Sequence, residues 1–245
     1  FREVWGKAAI GPRIRPILAG QYANPFMFQI QLDFVRKHYG PPAETLYGIA
    51  VAPYVYLPED LQKRTGLTKD EVLSTLSAGV ETLNRNAYAA SCAVARWDGL
   101  RMLSYEGGPD VGQAEENLDA KIAANRDPKM RDILERYVNG WWRSGGDLFM
   151  YFTLTRAYTR WGCWGLPDDV TAAKDPPKMQ AMRRLTGSSQ PSVTAGTPVP
   201  GRVTGATRAV ERWCKVREGG PVGTPIGSVG PDDHLDYVIR LTKAG

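Results

Sequence analysis

Short, nearly uniform apolar runs alternate along this chain with longer stretches in which apolar residues recur every three or four positions. The runs lie at residues 13–19 (RIRPILA), 47–52 (YGIAVA), 100–105 (LRMLSY) and 148–154 (LFMYFTL). Each is short enough for a strand, and the second is apolar throughout, as a strand covered on both faces must be. Pro16 in the first suits an edge position. Between the runs the spacing turns helical. Asn24-Pro25 opens a helix over 25–39 that stops at Gly40-Pro41-Pro42. Thr68 and Glu71 form a capping box ahead of one long helix, with Val72, Leu76, Val80, Leu83 and Ala87 near one face and Asp98-Gly99 at its end. A polar stretch predicts a helix near 115–124. Asp127-Pro128 opens another, on which Met130, Ile133, Leu134, Tyr137, Val138 and Trp141 make an amphipathic stripe. A last helix fits 177–185.

Strand and helix therefore alternate four times, the pattern of an α/β protein with a parallel sheet and helical crossovers. Four such units are half of a (β/α)8 barrel; an open doubly wound sheet is the alternative. Residues 187–201 (GSSQPSVTAGTPVPG) read as an interdomain linker. The domain expectation is a unit over 1–186, that linker, and a β-rich segment over 202–245. The opening FREVWGK reads as the end of a helix, and the closing LTKAG follows a strand-like run. The expectation is a piece of a longer protein.

Composition narrows the chemistry. Of the 245 residues 42% are hydrophobic and 23% charged, which places the chain among globular proteins. No apolar run reaches the length of a membrane span. The net charge of +5 is spread among acidic residues, so a nucleic-acid partner has no support. Cys92, Cys163 and Cys214 show no metal-ligand spacing, and His38 and His234 are the only histidines. No GxGxxG or phosphate loop follows the first strand, so no cofactor is expected. One carboxylate is well placed. Glu106 ends the third run and is followed by Gly107-Gly108-Pro109, which puts it at the C-terminal tip of a strand, where barrels keep their active sites. The plain alternative is a solvated turn carboxylate. Tyr54 and Tyr56 follow the second run, Trp161 and Trp164 follow the fourth, and Gln21 and Asn24 follow the first. Parallel strands would bring these rings and amides to the face that carries Glu106. Flat apolar rings stack on sugar C–H faces, and amides bind hydroxyls. Asn24 is also explained as a helix cap, and the tryptophans as core.

The segments IRPILAGQ, YGIAVAPYVY, RMLSYEGGPD and GGDLFMYFTLTRAYTRWGCWGL, in this order, resemble the C-terminal half of a retaining (β/α)8 glycoside hydrolase of the large clan with glutamates on strands four and seven. The resemblance implies that they are strands five to eight of a partial TIM barrel. It implies that Glu106 is the nucleophile, that Tyr54 is the strand-six tyrosine that hydrogen-bonds it, and that Trp161 or Trp164 floors a sugar subsite; Gln21 and Asn24 stand as further substrate contacts on the reading of the residues alone. DDHLDYVIRLTKAG is similar to part of a β-sandwich carbohydrate-binding module. The partner implied is a carbohydrate, and the location secreted or cell-surface. One feature departs from the family: no Asn-Glu pair follows a strand before Arg13, so the acid/base glutamate is missing and the chain alone is expected to be inactive on ordinary glycosides. The same scaffold could instead bind sugar without cleaving it. A half barrel would also expose two sheet edges and is expected to self-associate through them.

Overall fold

The computed structural model describes residues 2–9, 11–22, 24–84, 88–171, 175–188, 214–215 and 235–236. After a short helix α1 (Arg2–Trp5), strand β1 (Ile17–Ala19) leads into α2 (Pro25–Tyr39). Asn24 holds the N-cap position of α2 but makes no side-chain cap, so Pro25 in the first turn carries the start. Strand β2 (Gly48–Val51) follows and is buried along its whole length. It runs on into the two-residue strand β3 (Val55–Tyr56) and the short helix α3 (Glu59–Lys63). The Thr68–Glu71 capping box starts α4 (Lys69–Thr82) with both reciprocal bonds made.

The sequence predicts one helix from here to Asp98; within that range α4 and α5 (Tyr88–Trp97) are described, and residues 85–87 between them lie outside the described ones. At Leu83 and Asn84 the helix widens to a π turn, where the Asn84 amide lies against Gly140, a residue with no side chain to exclude it. Strands β4 (Arg101–Ser104) and β5 (Pro109–Asp110) precede α6 (Leu118–Arg126) and α7 (Pro128–Arg143). Asp127 caps α7 by accepting the Lys129 N–H at 2.9 Å. The expected fourth strand over 148–154 is only partly formed. Phe149 bridges Ser104 in parallel, with Ser104 N–H to Leu148 O at 2.9 Å and Met150 N–H to Ser104 O at 3.1 Å. The last helix of this unit is α8 (Pro177–Gly187).

The sheet order is β1-β2-β4, all parallel, with the 147–152 segment beside β4. Within this sheet each strand pairs with the sheet's next member along the chain, and the order never reverses among the described residues. Register divides the side chains into two faces. Leu18, Ile49 and Met102 align on one face, joined by Val51 and Phe149. Ile49, Val51 and Met102 belong to the main core, with Leu18 and Phe149 packed against it. The helices contribute Phe28, Leu76, Leu134 and Trp141 to that same core. The opposite face carries Ile17, Ala19, Ala50, Leu103, Leu148 and Met150 and takes no part in it. The molecule is α/β with its helix-side core on one face of a parallel sheet.

The expected linker over 187–201 and the segment over 202–245 lie almost wholly outside the described residues. Within them Gly187 ends α8 and Ser188 follows it, and further on β6 (Cys214–Lys215) and β7 (Leu235–Asp236) are described and pair antiparallel.

Candidate functional site

The loops that leave β2 and β4 run side by side past the C-terminal ends of the strands. Tyr105 N–H donates to Val51 O at 3.1 Å, β3 pairs in parallel with β5, and Leu57 N–H closes the zipper on Asp110 O at 2.8 Å. This pairing is what brings Tyr54, Tyr56, Glu106 and Asp110 together. Glu106 is held through its backbone: the buried Ser104 hydroxyl donates to Glu106 O at 2.9 Å. The two glycines after it are demanded by close packing from below. A Cβ on Gly107 would stand 2.8 Å from the Tyr137 hydroxyl and 3.0 Å from the Phe149 ring. That Tyr137 hydroxyl donates to Pro53 O at 2.6 Å, so one α7 side chain braces both loops.

The Glu106 carboxylate is half-buried and faces Tyr54. Burial raises the pKa of the Tyr54 phenol, and the negative charges of Glu106 and Asp110 raise it further. The phenol is also within reach of a weak hydrogen bond to Glu106, the smallest of these influences. Contacts of this kind are often long in a free site and tighten when substrate binds. Tyr56 packs on Tyr54 with ring centroids 5.8 Å apart. It too is kept in its neutral phenol form, first by burial and then by Asp110, Tyr22 and Glu106. Burial raises the pKa of Asp110, against the pull of the Gly112 N–H, donated at 2.9 Å, and of Lys178. The indole N–H of Trp164 also faces Asp110 and lowers its pKa, yet falls short of full hydrogen-bond geometry with any acceptor.

The remaining expected residues are less unified. Trp164 is buried, with the Arg156 guanidinium 5.0 Å over its ring and Phe152 at 5.7 Å, so it is a wall and not an open platform. Its loop is pinned by Tyr151 donating to Trp164 O at 2.9 Å, by Tyr158 donating to Gly165 O at 2.9 Å, and by Lys178 donating to Cys163 O. Trp161 is 54% exposed and stacks with Arg160 at 4.6 Å, which in turn pairs with Glu115. Gln21 and Asn24 are exposed, and nothing among the described contacts joins their side chains to Glu106. From that loop it is Tyr22 that reaches the tyrosine cluster. Reasoning from the sequence named Tyr56 at a strand end but passed over Tyr22 and left Asp110 out of the site. The alternation in Tyr54-Val55-Tyr56 and the equal spacing after the two strands could have revealed the β3–β5 pairing. Among the described residues no cluster of His, Cys, Asp and Glu has metal-site geometry, and no helix is long and apolar enough to cross a membrane. No family model, curated protein or solved structure matches the chain.

Proposed function

We propose that this chain carries the nucleophile half of a secreted or cell-surface retaining glycoside hydrolase, with Glu106 as the nucleophile and a carbohydrate as substrate. The supporting observation is the Glu106–Tyr54 contact at the C-terminal ends of adjacent parallel strands, a carboxylate with a neutral phenol donor beside it. In this chemistry the Glu106 carboxylate attacks the anomeric carbon and forms a glycosyl ester as the C–O bond to the leaving group breaks. The leaving oxygen takes its proton from an acid/base carboxyl about 5 to 5.5 Å from the nucleophile. Asp110 is raised by burial but points into the protein toward Trp164 and the Gly112 N–H, so it is not assigned as that acid. In the same proposal the sheet is part of a (β/α)8 barrel, consistent with sequential strand order and helix packing on one face.

The test uses 2-deoxy-2-fluoro glycosides with dinitrophenolate leaving groups, which depart without a proton. Across a panel of hexose and pentose configurations, one should leave a glycosyl group on the peptide containing Glu106, seen by mass spectrometry and lost in Glu106→Gln. Absence of label with every sugar refutes the nucleophile role. The half-exposed ring of Trp161 favours a second reading, a protein that binds sugar without cleaving it. That outcome would show as oligosaccharide binding by calorimetry with no label and no loss on Glu106→Gln.

A further inference from the structure

Among the described residues, one face of the sheet stands apart from the helix-side core. Parallel sheets are stable with both faces covered, yet here the helix-side core is built only on the face of Leu18, Ile49, Met102 and Phe149. On the other face the central Ala50 and Leu103 are buried, while the edge residues Ile17, Leu148 and Met150 are 48–55% exposed. The face is thus covered at its centre and open at both margins. The two margins are also open along the backbone: among the described residues β1 pairs only with β2, and the 147–152 segment only with the β4 side. Beyond β1, α2 packs on α5 and presents Ile30 and Phe34, 49% and 55% exposed, on its uncovered side.

The two margins complement each other. One is the free edge of the first strand, the other the free edge of the last, and both run in the same direction. We propose that a second copy of this chain docks here, β1 of each copy pairing in parallel with the 147–152 segment of the other, so that eight strands close around a shared apolar interior. Eight parallel strands give an interior that side chains just fill. The area is adequate. At about 200 Å² per large apolar side chain, Ile17, Ile30, Phe34, Leu148, Met150 and Leu154, exposed by 48–68%, offer on the order of 600 Å² per copy before any backbone is counted. Two copies together reach the ~1,200 Å² at which specific interfaces begin. Two-fold closure also brings both Glu106 carboxylates to one mouth, so each site gains a second carboxyl. That consequence rests on the glycosidase proposal, whereas the association itself rests only on the sheet.

Sedimentation velocity of the full chain from 1 to 100 µM tests it, because association is read independently of any chemistry. The expected species is a discrete dimer of twice the 27.0 kDa chain. Ile17→Glu alone or Leu148→Lys alone should raise the dimer Kd at least tenfold. The two in one chain should restore most of that loss at low salt, because the new charges meet across the joined edges. Val170→Glu, at a 72% exposed position outside the sheet, should change nothing. Far-UV circular dichroism confirms that each variant still folds. A monomer at 100 µM overturns the proposal, since the face is then covered from within the chain. So does open-ended polymer, or a dimer indifferent to both edge substitutions.

Discussion

Lys178 is wholly buried on α8 beneath the Trp164 loop, where it donates to Cys163 O and lies 4.7 Å from the centre of the Tyr158 ring. A free lysine titrates near 10.5, whereas burial brings Lys178 down to about 7. At 1.36 kcal/mol per pH unit that gap is worth ~5 kcal/mol against the folded state. The sign follows from proton counting. Between pH 7 and 10.5 the unfolded chain holds a proton at this site that the folded chain does not, so stability rises with pH. Below about 7 both states are protonated and the full penalty stands. Above 10.5 both are neutral and it is gone.

Lys178→Met keeps the volume and removes the charge, at the cost of leaving the Cys163 carbonyl unpaired, ~1–3 kcal/mol. The variant is therefore expected to be ~2–4 kcal/mol more stable than the parent at pH 7 and to lose that advantage by about pH 10. Urea unfolding of both proteins at pH 7, 8, 9 and 10 measures this. The difference between the two curves is the quantity to follow, because buried Cys163 and Cys92, pushed up to about 11 and about 12, pull stability the other way at alkaline pH in both. Parallel curves, or a variant weaker than the parent at pH 7, would refute a charge held at a cost.

Two further outcomes are expected. Tyr54→Phe removes the phenol facing Glu106 and should slow glycosyl labelling by about tenfold, the value of one modest hydrogen bond, with unchanged unfolding; an unaffected labelling rate would show that Tyr54 only packs. Gly107→Ala drives a methyl group into the Tyr137 hydroxyl and the Phe149 ring and should cost ~1–3 kcal/mol in urea unfolding, while Tyr137→Phe in the same chain, which relieves one clash, should recover part of the loss.

The helices were the most legible part of this chain because their signals are local. Asn24-Pro25, the Thr68–Glu71 box and Asp127-Pro128 each announce a start through groups one to three residues apart, and all three helices begin there. The stripe from Met130 to Trp141 is buried as its spacing demands. Failures arose where distant residues intervene. The long helix after Thr68 widens to a π turn at Leu83 and Asn84, where Asn84 lies against a glycine of α7 more than fifty residues away. The run at 148–154 has the composition of a strand but has strand neighbours on one side only, and it forms a single bridge.

At the site, Glu106 and Tyr54 could be marked because each follows an apolar run, and a strand end is visible in composition. Tyr56 stands at the same strand end in the sequence, but the approach of Asp110 and Tyr22 to it comes from contacts between separate loops. The buried state of Trp164 depends on Arg156, Phe152 and the three donors that pin its loop.

Hydrophobic periodicity and capping chemistry by themselves determined which segments are helical, that the strands are parallel, and which carboxylate stands at a strand tip; these are properties of neighbouring residues. Only the tertiary structure decided that, among the described residues, strand follows strand without reversal, that the helix-side core lies on one sheet face, and that a lysine is buried in the core with its pKa lowered. Those depend on which surfaces meet, and burial and desolvation are set by contacts between residues far apart along the chain.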